Sequence, residues 1–466
     1  MWFIPVLALL LVVVFPSGPV WAGQLPESPV ETPWRSARYY GGSDFEFAER
    51  MTVDAQGNAY LLGRTFSGDM FASLVPAVSA SGIPASVTFV LKLDARGLPI
   101  YAVPVGGESF MPLDIAVGLD GSAHVLASSG DVTHVIKIDP SGSRREYHVT
   151  FNGLSREGWY PKAIGADDAG HTVIAGWSPP GLFVARLDAR GSVFDGSLIP
   201  VNAIVQDLAV DPTGDVYVVG SITGDGLPTT AGALQPRYNG GECGSVFPPD
   251  GRPRPGVPCL DAFLLKVTRQ NELAYATYFG GIGWDDGRTV AVDRSGAAVI
   301  AGLTRSSDLP TVNAMQPQCK SGFWPVVCGD VFVAKIDPTG TALVFSTYLG
   351  GTDTENVYGL AVDESGSVYV GGTVTGAGLP VSNASQRDYG GGRSDGFALA
   401  LGPLGDLLWG TYVGGSDDER VVGIGAAAGI VHFGGETTSP AWAVGGGPFR
   451  GGRDLFSAQL LDVRGR

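Results

Sequence analysis

The sequence predicts an all-β fold: a seven-bladed β-propeller of four-stranded antiparallel blades, closed by the amino-terminal strand joining the last blade. Three observations carry that expectation. A Tyr-x-Gly-Gly element recurs at Tyr39–Gly42, Tyr278–Gly281, Tyr348–Gly351 and Tyr412–Gly415. A hairpin pattern, in which an apolar strand ends in Asp and a Gly leads into a second strand, returns along the whole chain. A third strand of the form Asp-x-Phe-x-x-Lys, ending on an apolar residue, follows each hairpin. Such self-similarity marks a repeat architecture, because one unit cannot bury its apolar faces without neighbours.

Composition points the same way. With 70 Gly and 32 Pro among 466 residues, and only 16% charged residues, the chain reads as many short strands joined by tight turns. The net charge of −16 argues against nucleic acid or an anionic membrane as partner, since either would be repelled.

Taken in order, the first element is an apolar run, Trp2 to Phe15, followed by Val20-Trp21-Ala22, which resembles a signal-peptidase site. Residues 1–22 are expected to be a signal peptide and residues 23–466 one propeller domain, secreted, periplasmic or at the cell surface. No Lys or Arg precedes the run, which keeps an uncleaved anchor as the alternative. The run is nevertheless short for a span of about 20 residues, and no cysteine stands at the site to carry a lipid. No transmembrane segment is expected after cleavage.

Trp34 to Tyr40 reads as a fourth-type strand standing alone, and the chain ends after a third-type strand, Leu455 to Leu460. If the first completes the blade of the last, the ring closes without a free edge. Between them the hairpins fall at Asp54/Gly57, Asp120/Gly121, Asp167/Gly170, Asp211/Gly214, Asp293/Gly296 and Asp363/Gly366, with a degenerate copy from Ile424 to Gly435. Asp bonds its own backbone at the start of a type I turn and Gly supplies a positive φ, so these aspartates are expected to be structural. The unit averages about 63 residues, because the connection between second and third strands is often long.

The combined grammar, with Leu-Pro at Leu227-Pro228, Leu309-Pro310 and Leu379-Pro380, resembles the SBBP (seven-bladed β-propeller) repeat proteins of bacteria. Blades two and three depart from it by lacking Leu-Pro and a clean Gly-Gly. The resemblance implies a secreted or surface propeller and brings no catalytic residues with it.

Candidate sites are few. Cys243 and Cys259 lie in the long connection of blade four, Cys319 and Cys328 in that of blade five, and disulfides are the expectation, local pairing being the simplest of three connectivities. No histidine flanks them at ligand spacing, so no metal or cofactor is expected. His124 and His432 stand at the strand position of Tyr60, Tyr217 and Tyr369, His171 aligns with Asn58, and the five histidines show no convergent set. No nucleophile elbow, zinc motif or phosphate loop appears, and the Gly-Gly pairs are read as turns.

Acid pairs recur after the Gly-Gly elements, including Asp285 and Asp286, Asp353 and Glu355, and Asp417 and Asp418. Recurrence at one blade position favours loop bonding over cation binding or acid–base catalysis. The same rim is expected to carry Trp159, Trp284 and Trp324, which with the acids would suit a glycan or a polar protein surface. The function expected is therefore a monomeric, non-enzymatic binding or scaffold propeller at the envelope or outside the cell. The alternative is a propeller lyase or hydrolase acting on a glycan or small polar substrate.

Overall fold

The computed structural model describes residues 34–74, 86–152, 158–243, 256–321, 328–442 and 447–462. Seven four-stranded antiparallel sheets follow one another round a ring. Their inner strands are Glu46–Val53, Met111–Val117, Tyr160–Ala166, Ile204–Val210, Asp285–Val292, Glu355–Val362 and Glu419–Ala427. Blade seven takes its outer strand from Trp34–Tyr40, which pairs antiparallel with Asp454–Leu461. The closure expected from the offset of the repeat is the closure observed. The amino-terminal leader expected over residues 1–22 lies outside the described residues.

The core lies between blades. The phenylalanines of the third strands, Phe89, Phe183, Phe263, Phe332, Phe397 and Phe456, are at most 1% exposed. Each such ring contributes about 1.5–3 kcal/mol by leaving water, which explains why the third strand is the most regular part of the repeat.

Turn chemistry follows the sequence with two variants. In the regular hairpin the Gly57 N–H donates to the Asp54 carbonyl at 2.9 Å, while Asp54 Oδ1 accepts from the Gln56 and Asn58 amides. In blade two Gly118 takes the Asp position, and Asp120, two residues on, accepts instead from the Ser122 amide. Blade seven uses a two-residue turn, with Ala428 at φ 50° and Gly429 at φ 74°, between the paired Ala427 and Ile430. A type I′ turn of this kind needs no Asp.

The repeated Tyr and Lys stitch each blade to the next. The Tyr60 hydroxyl lies 3.1 Å from Asp54 Oδ2 and 3.0 Å from the Gly121 carbonyl of blade two. Tyr217 does the same with Asp211 and with Gly296 of blade five. Lys92, Lys137 and Lys335 donate to the Pro140, Gly170 and Gly366 carbonyls of the following blade.

The outer edges of the blades are covered unequally. In blades four, five and six the connection between second and third strands turns back along the outer strand. There the Thr230 amide bonds to the Ala276 carbonyl, Val312 pairs with Ser346, and Ser382 pairs with Gly410. The leucine of each Leu-Pro is buried, and its amide donates to a tyrosine hydroxyl oxygen: Leu227 to Tyr278, Leu309 to Tyr348, Leu379 to Tyr412. Blades two and three have only tight turns there, at Gly130-Asp131 and Pro179-Pro180, and lack this cover among the described residues.

Candidate functional site

Four blade junctions bury paired carboxyls. Glu46, Asp285, Glu355 and Glu419 open the inner strands of blades one, five, six and seven. Each accepts the amide of the second glycine in the Gly-Gly before it: Gly42, Gly281, Gly351 and Gly415. Opposite them stand Asp454, Asp261, Asp330 and Asp395, fully buried in the preceding blade at the third strand. The first glycine leaves room for both groups. A Cβ at Gly350 would lie 2.6 Å from Asp330 Cγ and 2.7 Å from Glu355 Oε2, and one at Gly280 would lie 2.9 Å from both Asp261 Oδ1 and Asp285 Oδ2.

None of these eight glycines has a positive φ, so the reading of Gly-Gly as a turn is corrected: the first glycine is required for space. Burial pushes Asp261 up to about 7, Asp285 to about 6, Glu355 to about 8 and Asp395 to about 7. Glu46 and Asp454, which hydrogen-bond to one another, are raised by burial as well. At the other junctions Asp261 Oδ1, Glu355 Oε2 and Asp395 Oδ1 are buried without a hydrogen-bond partner, and a proton on one carboxyl of each pair would relieve the repulsion between two buried charges. The surrounding amides and hydroxyls donate to these carboxyls.

The remaining rim residues are distributed as follows. Asp286 accepts from Ser221 Oγ at 2.5 Å and from Arg288 Nε at 3.0 Å. Asp353 is partly buried beside Thr352, and Asp418 accepts from the Arg393 amide, while Asp417 is exposed. Trp284 lies under the Arg305 guanidinium, 4.7 Å from its ring centre. Trp324 lies outside the described residues. The inter-blade loops and long connections do share one rim: the Ile282 amide reaches Asp308 Oδ1 and the Gly283 amide reaches Ser306 Oγ.

The central channel encloses about 380 Å³. Every inner strand carries a register shift at the same level, as between Ala48 and Arg50 or Val205 and Asp207, and a bulge there bends the strand and redirects side chains. Arg50 crosses from blade one to the Tyr358 carbonyl of blade six at 3.0 Å and lies 3.7 Å from Asp114 of blade two. Asp114 and Asp207 also accept amides of the following blades, from Ile164 and Val290. Burial raises both carboxyls, Asp114 to about 7. These groups tie the inner strands together, and sequence reasoning missed them because the repeat has no fixed residue at the bulge.

Trp159 stands away from the channel. Its ring packs 4.4 Å from that of Phe183, and it borders a groove of about 520 Å³ that runs along the outer strand of blade three, Val193–Ile199. Val193, Phe194 and Leu198 on that strand are 45%, 51% and 51% exposed. Outer strands of blades four to six, by contrast, are buried over their last five residues.

The cysteines pair locally, Cys243 with Cys259 and Cys319 with Cys328. The grouping of Cys319, Cys328 and Asp330 is thereby taken up by a disulfide, and is the only cluster of three ligand-type groups found among the described residues. His124 and His432 occupy the Tyr position of the repeat, and His171 bonds Asp167 as Asn58 bonds Asp54. The expectation that no histidines converge is corrected at one place: His134 Nδ1 lies 3.0 Å from His148 Nε2, and Ser129 Oγ lies 2.7 Å from His134 Nε2. They sit on neighbouring strands of blade two, a pairing visible only once the register is known.

These features define a closed seven-bladed β-propeller built from repeated hairpin pairs. The β-propeller repeat model named SBBP matches residues 344–380, so this segment is an SBBP repeat, as the sequence grammar implied. No curated protein matches the chain. Solved structures similar to it include virginiamycin B lyase from Staphylococcus aureus, at 8% identity over 89% of this chain and 95% of that one, with a TM-score of 0.46. A Dyadobacter fermentans protein of unknown function gives 12% identity over 92% and 99%, with a TM-score of 0.41. The WD40 propeller domain of Doa1 gives 10% identity over 92% and 97%, with a TM-score of 0.47. At these values the likenesses carry no argument about function.

Proposed function

We propose that the chain is an exported binding or scaffold propeller of the bacterial envelope or cell surface, and that it engages its partner through the outer side of blade three. The observation that carries this reading is the unequal cover of the ring. Three blades bury their outer strands under their own connections, while blade three leaves Val193, Phe194 and Leu198 open beside Trp159. Contiguous exposed apolar surface on a charged, acidic protein marks an interaction site. Export is supported by the apolar leader and by the two disulfides, which persist in an oxidising compartment. No described helix is long and apolar enough to cross a membrane.

A photo-reactive residue at Phe194, compared with one at the still more exposed Leu404 on blade six, tests the reading in exporting cells. A discrete adduct from position 194 alone is expected. Identical patterns from both positions, or none, would remove the interface from blade three.

A second reading, hydrolysis, has the line Ser129–His134–His148 in its favour, since a serine bonded to an oriented histidine is the arrangement of an activated nucleophile. Burial holds His134 below its usual range, so the ring is neutral and able to accept a proton. Labelling by a fluorophosphonate that Ser129→Ala abolishes is the outcome this reading requires. Absence of labelling discards it.

A further inference from the structure

We infer that the outer strand of blade three binds, by strand addition, an extended peptide segment of a partner protein that carries a leucine-sized side chain. The inference rests on the binding reading above and goes further by naming the class of partner. The ring contains its own controls. In blades four, five and six the outer strand is met by a segment of the same chain that makes backbone hydrogen bonds to it at two points, with a turn or bend between them, and that brings one buried leucine. Gln235, Gln316 and Gln386 end those segments, their carbonyls accepting from the Tyr278, Tyr348 and Tyr412 amides. What covers this edge in the sister blades is therefore a peptide segment paired through its main chain, and blade three has an open outer strand without that cover.

Two further observations select blade three. Open edges are normally blunted by charge. The open outer strand of blade two, Arg145–Asn152, follows that rule with Arg145 and Glu146. Val193–Ile199 does not: its one charged residue, Asp195, is turned to Asn271 of blade four at 2.5 Å. The groove beside it, walled by Trp159, Phe183, Phe194 and Leu198, is the place for that side chain, with Leu198 at the register position that Tyr278, Tyr348 and Tyr412 hold beside the buried leucines of the sister blades. Main-chain pairing would give the affinity and this groove the selectivity, as in other strand-addition complexes. A second copy of the chain is the less suited occupant, since each copy carries a net charge of −16.

The test uses the chain's own cover as probe. A dye-labelled peptide with the sequence of residues 225–237 is titrated with the full chain and followed by fluorescence anisotropy. Saturable binding is expected, weakened at least about tenfold by Phe194→Asp in the protein or by Leu227→Asp in the peptide. A peptide N-methylated on alternate amides, which leaves the protein untouched, should bind no better than the Leu227→Asp peptide. Failure to saturate, or binding indifferent to Phe194→Asp, would overturn the inference. So would a concentration-dependent dimer in sedimentation that position 194 controls, because the occupant would then be a second copy. An adduct from position 194 without peptide binding would leave the binding reading standing and discard only the extended partner.

Discussion

At the scale of the residue, the glycines and aspartates of the repeat divide into two kinds that look alike in the sequence. Gly57, Gly214 and Gly296 hold φ near 85° and are required by the turn. Gly41, Gly280, Gly350 and Gly414 are required by the carboxyls that crowd their α-carbons. Gly350→Ala should therefore destabilise the chain by about 1–3 kcal/mol through overpacking between Asp330 and Glu355. A denaturant titration checks it. Made in an Asp330→Gly background, which vacates the space, the same substitution should cost less than it does in the parent chain if crowding is the cause, the two changes being compared as a double-mutant cycle because Asp330→Gly alone removes an acceptor from Gln316, Lys320 and Ser321. The turn aspartates and the Tyr and Lys positions were legible because their partners lie within the motif or one blade on. The carboxyl pairs were half legible: recurrence identified the first member as structural, but the second lies in the preceding blade, where only the register brings it near.

At the scale of the element, strand identity and order were legible throughout, because each blade repeats the same alternation and an apolar third strand. Hairpins without Asp, as at Ala428-Gly429, were weaker in sequence yet equally well formed, since a type I′ turn depends on φ and not on a side-chain acceptor. The function of Leu-Pro was not legible. As a motif it marks a connection; in the fold it lays that connection along the outer strand and buries a leucine against the next tyrosine. Its absence from blades two and three, visible in the sequence as mere divergence, is what leaves their edges open. Trp159, expected on the rim, borders a groove shared by the Ser178–Gly181 turn and the outer strand of blade three. The disulfides belong to the same device, since each closes a connection over a capped blade, Cys243–Cys259 in blade four and Cys319–Cys328 in blade five.

At the scale of the whole molecule, four of the seven junctions depend on buried carboxyl pairs, so ring stability is linked to pH. Unfolded carboxyls titrate near about 4. In the native ring burial raises Asp285 to about 6, Asp261 and Asp395 to about 7 and Glu355 to about 8. Folded values above the unfolded ones mean that the native state binds protons more tightly. Their contribution is complete below pH about 4 and is lost as pH rises through 6 to 8. Other carboxyls act in the opposite sense. The Ser43 amide holds Asp69 low and the Ser141 hydroxyl holds Asp139 low, so their contribution is lost as pH falls below about 4. Stability should therefore peak in mildly acid solution, with Tm falling by roughly 5 °C between pH 5 and pH 8.5. Asp261→Asn tests the cause: an amide keeps an acceptor for the Asn239 amide and offers Asp285 a permanent donor in place of a titrating proton. The variant should lose part of the alkaline decline and be the more stable chain at pH 8.5. A wild-type Tm that is level from pH 5 to 8.5, or a variant that declines as steeply as the parent, would show that the junctions do not depend on shared protons.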